Sequence, residues 1–195
     1  RLTAPSPARL IAMGGRSGTG KSTLARALAP HLGSPPGAIV LRSDLLRKRM
    51  ANVAPDQPLP ETHYASAARS GVYVALCDRA WLVSQAGLPC ILDATFLTED
   101  GWRALDALEA CAETSVCRIW LTAPEAVLRD RLEKRGADAS DADLSVLESQ
   151  LAHPAPKEGW ILVDVSGTQV EALGTLRLAL GQSDDEAPDP GTRPD

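Results

Sequence analysis

The sequence predicts an α/β fold in three layers, α/β/α, with helices covering both faces of a parallel sheet. Two observations lead there. Short apolar runs alternate with helical patterns from Leu10 to Leu180, which is the rhythm of strand–helix–strand crossovers. The first run also ends in Gly14-Gly15 and passes through a glycine-rich loop into an amphipathic helix, a junction suited to holding an anion.

The elements follow in order. Leu10-Ile11-Ala12-Met13 is a continuous apolar run, as expected of a strand buried on both faces. Lys21 to Leu32 reads as a helix with Leu24, Leu28 and Leu32 at four-residue spacing, ended by Gly33-Ser34-Pro35-Pro36-Gly37. Ala38 to Leu41 is a second strand, and Ser43 is placed to cap a helix reaching about Ala51. Residues 52 to 62 carry Pro55, Pro58 and Pro60 and form a loop. A long helix is expected from about Tyr64 to Ala86, with Ala68, Val72, Leu76, Ala80 and Val83 on one stripe and Gly87 as its stop. Pro89 to Ala94 is the third strand, Asp100 to Ala112 a helix and Val116 to Leu121 the fourth strand. Pro124 then opens a helix at a favoured early position. Arg135 to Asp143 is polar, Asp143 to Leu151 helical, Trp160 to Val165 the fifth strand and Thr168 to Leu180 the closing helix.

Composition narrows the class. A chain of 195 residues suffices for one well-buried domain and is short for two. The apolar fraction of 44% and charged fraction of 23% are those of an ordinary globular protein. Of the net charge of −5, the segment from Ser183 to Asp195 carries −4 (five acids against Arg193), so the other 182 residues carry only −1. The Pro- and Asp-rich segment 183–195 reads as a disordered acidic tail, residues 1–8 as a linker from a longer polypeptide, and 9–182 as the domain. A nearly neutral domain lacks the basic field of a duplex-nucleic-acid binder. Cys77, Cys90, Cys111 and Cys117 form no C-x-x-C pair; each falls in an apolar stretch and is expected as a buried free thiol, which suits a cytoplasmic protein. No run reaches the roughly 18 apolar residues of a membrane span.

Gly15-Arg16-Ser17-Gly18-Thr19-Gly20-Lys21-Ser22 matches G-x-x-x-x-G-K-[ST] in full. Glycines let the backbone close into a nest whose N–H groups point at phosphate oxygens. The next helix adds its positive end. Lys21 is placed to reach the β and γ phosphates, and Ser22, followed by Thr23, to offer a hydroxyl to Mg²⁺. The loop predicts nucleoside triphosphate binding with Gly15, Ser17, Gly18, Thr19, Gly20, Lys21, Ser22 and Thr23 as contacts. No N-K-x-D segment is present to read guanine.

Three further segments bear on chemistry. Asp44, after the second strand, and Arg47 three residues on lie where ligands collect in open α/β sheets. A carboxylate there suits proton removal from a hydroxyl; equally, Asp44 suits the start of a helix, where acids are favoured. Asp93 ends the third strand after Ile91-Leu92, the position of a metal-linked carboxylate or of a turn-capping acid. Arg129, Arg131, Lys134 and Arg135 precede the polar segment, as arginines of a lid that neutralises transferring phosphate or as a charged helix face with Asp130 and Glu133 as local partners. His31, His63 and His153 match no metal spacing, and His63 borders the acceptor side only weakly.

Together, GGRSGTGKSTLARAL at 14–28, LRSDLLRKRM at 41–50, ILDATF at 91–96 and RLEKRGADASDAD at 131–143 resemble the small P-loop kinases that include gluconate kinase, zeta toxins and the kinase domain of bacteriophage polynucleotide kinase. The resemblance is strongest to the bacterial kinase-like ATP-binding domain found after an aminoglycoside-phosphotransferase-like domain. It implies the P-loop NTPase fold with a five-stranded sheet in order 2-3-1-4-5, a small lid at about 131–143, and ATP with Mg²⁺. It further implies Asp44 as general base, Arg47 as an acceptor or phosphate contact, and Arg131 and Arg135 as lid arginines. It implies an N-terminal phosphotransferase-like partner domain as well.

The leading expectation is a kinase transferring the ATP γ-phosphate to a hydroxyl of a small sugar or aminoglycoside-like metabolite. A polynucleotide 5′-hydroxyl kinase is the first alternative, supported by the Asp44–Arg47 spacing. A nucleotide-binding regulatory module without an acceptor is the second.

Overall fold

The computed structural model describes residues 9–59, 66–112, 114–134, 144–156 and 158–181, the side chains of 66–68 excepted. The expected linker, the acidic tail, His63, Tyr64 and most of the expected lid, including Arg135, lie outside these residues.

Five parallel strands form one sheet in the order β2-β3-β1-β4-β5, the order implied by the resemblance. They are β1 (Leu10–Gly15), β2 (Ile39–Arg42), β3 (Cys90–Asp93), β4 (Val116–Thr122) and β5 (Ile161–Asp164). The helices are α1 (Lys21–Leu28), α2 (Ser43–Met50), α3 (Ser66–Gln85), α4 (Glu99–Ala112), α5 (Glu125–Glu133), α6 (Leu144–Leu151) and α7 (Gln169–Ala179). None of the described helices is long and apolar enough to cross a membrane.

Alternation along the strands sorts the core into two layers. Leu10 and Ala12 of β1, Cys90 and Leu92 of β3, and Trp120 of β4 face α3 and α4, where Val72, Leu76, Ala80, Leu105 and Leu108 meet them. Ile11, Met13, Ile91, Ile119 and Leu121 face the opposite layer, packed by Leu24 and Leu28 of α1 and Leu176 of α7. The central β1 is buried along its whole length, which is why it reads as unbroken apolar sequence.

Several local expectations are corrected. The first helix ends at Leu28 and continues as one 3-10 turn, Ala29–His31, because Pro30 cannot supply an N–H to an α-helical ladder. Ser43 is the first helical residue and not the cap, Arg42 occupying that position without a side-chain cap bond. Thr168 does cap α7, in a reciprocal capping box with Glu171 that satisfies two otherwise orphaned groups. Of the four free cysteines only Cys77 and Cys90 are buried; Cys111 is exposed and Cys117 intermediate. Burial pushes the Cys77 and Cys90 thiols up to about 12.

Candidate active site

Parallel pairing brings the strand ends carrying chemistry side by side. Met13 of β1 is in register with Asp93 of β3, and Asp93 is in register with Arg42 of β2. The chain leaves β1 through Gly15 and turns back over this edge as the phosphate loop before entering α1. The loop is tied to the exit of β3, where Gly15 N donates to Thr95 O at 3.4 Å and Ala94 N to Met13 O at 3.3 Å.

Within the loop the residues divide into frame and contact. Thr19 is buried, and its Oγ1 donates to Arg16 O at 2.7 Å, closing the turn from inside. Gly18 adopts φ +84°, and a Cβ there would lie 2.7 Å from Leu128 O. Gly20 adopts φ +80° with open space around it, so its need for glycine is conformational. Lys21 Nζ donates to Arg16 O at 3.0 Å, folded over the nest it would serve.

A cleft of about 560 Å³ opens above this edge, lined by Ser17, Gly18, Gly20, Lys21, Ser22 and Thr23 together with Asp44, Arg47, Asp93 and Arg131. Most of the residues singled out from the sequence thus share one cavity, while Gly15 and Thr19 frame the loop behind it. Arg131 meets the cleft with part of its side chain, but its Nη2 donates to Val165 O at 2.8 Å, Gly167 O at 2.9 Å and Ser166 O at 3.4 Å. Its charge therefore braces the connection after β5. Arg129 pairs with Glu125 and with Glu148 of α6, and Lys134 with Asp130, the solvated-face alternative for those two residues.

Asp93 and Asp44 differ in setting. Asp93 is 4% exposed, and burial raises its pKa above the usual carboxylate range. Lys21, the Ser22 hydroxyl and Arg42 oppose that shift, while the Asp44 charge adds to it. Asp93 Oδ2 is buried and makes no hydrogen bond. An orphaned carboxylate oxygen beside a phosphate-loop hydroxyl fits a Mg²⁺ ion, which takes few protein ligands and completes its shell with phosphates and water. No cluster of three or more His, Cys, Asp or Glu that could hold a metal occurs among the described residues. Asp44 is more open at 22% and is gripped by Arg42. Its Oδ1 also accepts from Leu45 N at 2.7 Å.

Sequence reasoning passed over three contributors. Arg42 had a signal, its place at the end of the second strand two residues before Asp44, although only the strand register sets it beside Asp93. Arg69, which also lines the cleft, and Gln150 had none. Gln150 Oε1 accepts from Ser17 N at 2.7 Å, and Arg16 donates to Gln150 O at 3.3 Å and to His153 O at 2.7 Å. The end of α6 is thereby fastened to the phosphate loop across more than 130 residues of chain.

Solved structures of this shape include a sugar kinase from Janibacter sp. HTCC2649, 23% identical with a TM-score of 0.67, covering 94% of this chain and 100% of that one. A gluconokinase from Sinorhizobium meliloti 1021 is 24% identical with a TM-score of 0.60, covering 90% and 95%. The Mycobacterium tuberculosis APS kinase CysC, solved with AMPPNP and APS, is 16% identical with a TM-score of 0.61, covering 90% and 100%. The fold is that of the small P-loop kinases. Uncharacterized proteins of Mycobacterium tuberculosis and Mycobacterium bovis are 29% identical over 170 residues, or 85% of this chain. The chain spans only 33% of their length. Residues 10–156 match the family model described as AAA domain, and the chain belongs to that family.

Proposed function

We propose that this chain transfers the γ-phosphate of ATP to a hydroxyl of a small polar metabolite, of the sugar or aminoglycoside-like kind. The observation that carries the reading is that one cleft is lined both by the phosphate loop with Lys21 and by a carboxylate at Asp44. In the transfer, the acceptor oxygen forms a bond to the γ-phosphorus as the bond to the bridging β-phosphate oxygen breaks. ADP leaves, and the hydroxyl proton passes to Asp44. Ser22 and Asp93 would hold Mg²⁺, whose chemistry there is to offset charge on the β and γ phosphates.

The bidentate clasp of Arg42 holds Asp44 in a fixed orientation. That is compatible with phosphoryl transfer, whose loose transition state places little charge on the attacking oxygen, so positioning counts for more than basicity.

The test measures ADP release by the purified chain with Mg-ATP against a panel of hydroxylated metabolites and 5′-hydroxyl oligonucleotides, alongside Asp44→Ala. Metabolite-stimulated turnover is expected, with Asp44→Ala losing more than tenfold, about 1.4 kcal/mol, while ATP still binds. Oligonucleotide-only stimulation would assign a polynucleotide kinase. Nucleotide binding without any stimulated turnover would assign a regulatory module.

A further inference from the structure

A second cavity lies between α3 and α4 and shares no lining residue with the cleft at the phosphate loop. Helix spacing sets its shape. Val74, Asp78 and Trp81 stand four and three residues apart on α3, so they share one face. Ala104, Ala107 and Cys111 form the facing stripe on α4. Each stripe covers two turns, a length of about 10 Å. Buried Cys77 and Leu108 make the floor, and Leu76, Ala80 and Leu105 hold the two helices on one core beneath it. Ala104 and Ala107 carry one carbon each, and the room that longer side chains would fill is left as a groove of about 470 Å³.

Two features of this groove restrict what can fill it. Its apolar surface is open to water, with Val74 56% and Trp81 38% exposed, so an apolar body gains by covering it. Asp78 is the one charged residue in the lining, and its carboxylate makes no hydrogen bond or ion pair among the described residues. Other acids on these helices do have partners, Glu99 in Arg103 and Asp106 in Arg118. Water serves Asp78 while the groove is open. A purely apolar occupant would strip that water from a carboxylate, which is costly unless a cation replaces it. Trp81, three residues along the same face, offers its ring to the same cation. The size favours a small molecule: about 300–1,000 Å³ is usual for such sites. The eight lining residues fall short of the roughly 20–30 a side of a stable protein interface.

We propose that the groove between α3 and α4 binds a small apolar molecule bearing one cationic nitrogen, of the arylalkylamine class. The hydrocarbon body lies among Val74, Trp81 and Leu108, and the ammonium meets the Asp78 carboxylate. The site is separate from the nucleotide cleft and stands whether or not the chain is a kinase.

The experiment uses three probes of one shape, 4-phenylbutylamine, 4-phenylbutanol and 4-phenylbutyrate, with Cys111 as reporter. Cys111 is exposed and lines the groove, whereas Cys77 is buried with its thiol pushed up to about 12. Iodoacetamide should therefore label Cys111 far faster, and peptide mass mapping separates it from Cys117. The Kd of each probe is read from the slowing of Cys111 labelling in the purified chain. The amine is expected to bind about fivefold tighter than the alcohol, as an exposed ion pair and a cation–π contact together allow, and the carboxylate to bind weakest. Asp78→Asn should bring the amine to the level of the alcohol, and Trp81→Ala should weaken both. Saturating Mg-ATP should leave the protection unchanged. The wild-type ranking decides alone where a variant fails to fold. Equal protection by all three probes, protection by none, or an amine indifferent to Asp78→Asn overturns the proposal, as does displacement of the amine by ATP. Sedimentation velocity is run on the same samples: a dimer whose Cys111 is shielded without any probe assigns the face to a second copy and overturns the ligand site.

Discussion

Arg42 grips Asp44 through two hydrogen bonds, Nε to Oδ1 at 3.2 Å and Nη2 to Oδ2 at 2.6 Å, while the same Nε lies 3.8 Å from Asp93 Oδ2. One guanidinium, 9% exposed, thus stands between the two carboxylates on which the proposed chemistry depends. It orients one and offsets the charge of the other.

Replacing it with an apolar side chain of similar reach, Arg42→Met, leaves both carboxylates without their shared cation. Uncoupling one partner of a largely buried pair costs about 3–5 kcal/mol of folding stability, and a catalytic carboxylate displaced by about 1 Å costs about 100-fold in kcat/KM. Arg42 is one of the charges holding the Asp93 pKa down. Its loss should move the acidic limb of the pH–rate profile to higher pH, because Asp93 must be ionised to hold a metal. Arg42→Lys should keep the limb near its wild-type place. A profile unchanged in Arg42→Met would refute the coupling.

Asp93→Asn should stabilise the ligand-free protein while abolishing turnover. The folded pKa of Asp93 is raised, so as pH climbs past the ordinary carboxylate value of about 3.9 the unfolded chain gives up this proton before the folded one does. The folded state then binds more protons, and wild-type stability falls until pH passes the folded pKa. The stability advantage of Asp93→Asn should therefore be absent near pH 3, grow through that window and level off above it. Urea melts at matched pH values measure this; an advantage that shrinks with rising pH contradicts the burial argument.

Gly18→Ala tests the loop's need for close approach. The new Cβ would stand 2.7 Å from Leu128 O, on a backbone at φ +84°. Neither the carbonyl nor the dihedral yields cheaply, and strain of about 1–3 kcal/mol is expected to weaken ATP binding by roughly 5- to 150-fold. Gly20→Ala meets open space and should be the milder change. Calorimetric ATP titration ranks the two, and the reverse order would refute the steric account.

The grip of Arg16 and Gln150 predicts a dynamic effect at a distance. Arg16→Met removes two bonds to carbonyls near the C-terminal end of α6, groups that no helical N–H can satisfy. Amide hydrogen exchange across Leu144–Leu151 should accelerate by about tenfold, the equivalent of about 1.4 kcal/mol of local stability. Protection unchanged in α6 would show that its own packing holds it in place.

The fold was legible because its signals are local. An unbroken apolar run such as Leu10–Met13 is what a strand covered on both faces must look like, and the stripe of Val72, Leu76 and Ala80 faces the sheet as its spacing required. The phosphate loop was legible for the same reason: its glycines answer backbone demands within eight residues. Helix ends were read less well where two residues compete for one role, as Arg42 and Ser43 do at the start of α2.

What the sequence by itself determined is the loop from Gly15 to Ser22, the layered α/β class and Asp44, Arg47 and Asp93 as residues to watch, since each depends on neighbours a few positions away. Only the tertiary structure decided how these act on one another. The register of β2 against β3 set Arg42 beside Asp93. The folding of α6 onto the loop put Gln150 on Ser17. The turn held by Tyr73 brought Thr95 to the cleft that Arg47 and Arg69 also line, and the connection after β5 took up the charge of Arg131. Each of these is a contact between segments far apart in the chain. Such contacts arise from how helices and strands pack, and spacing along a single sequence carries no record of it.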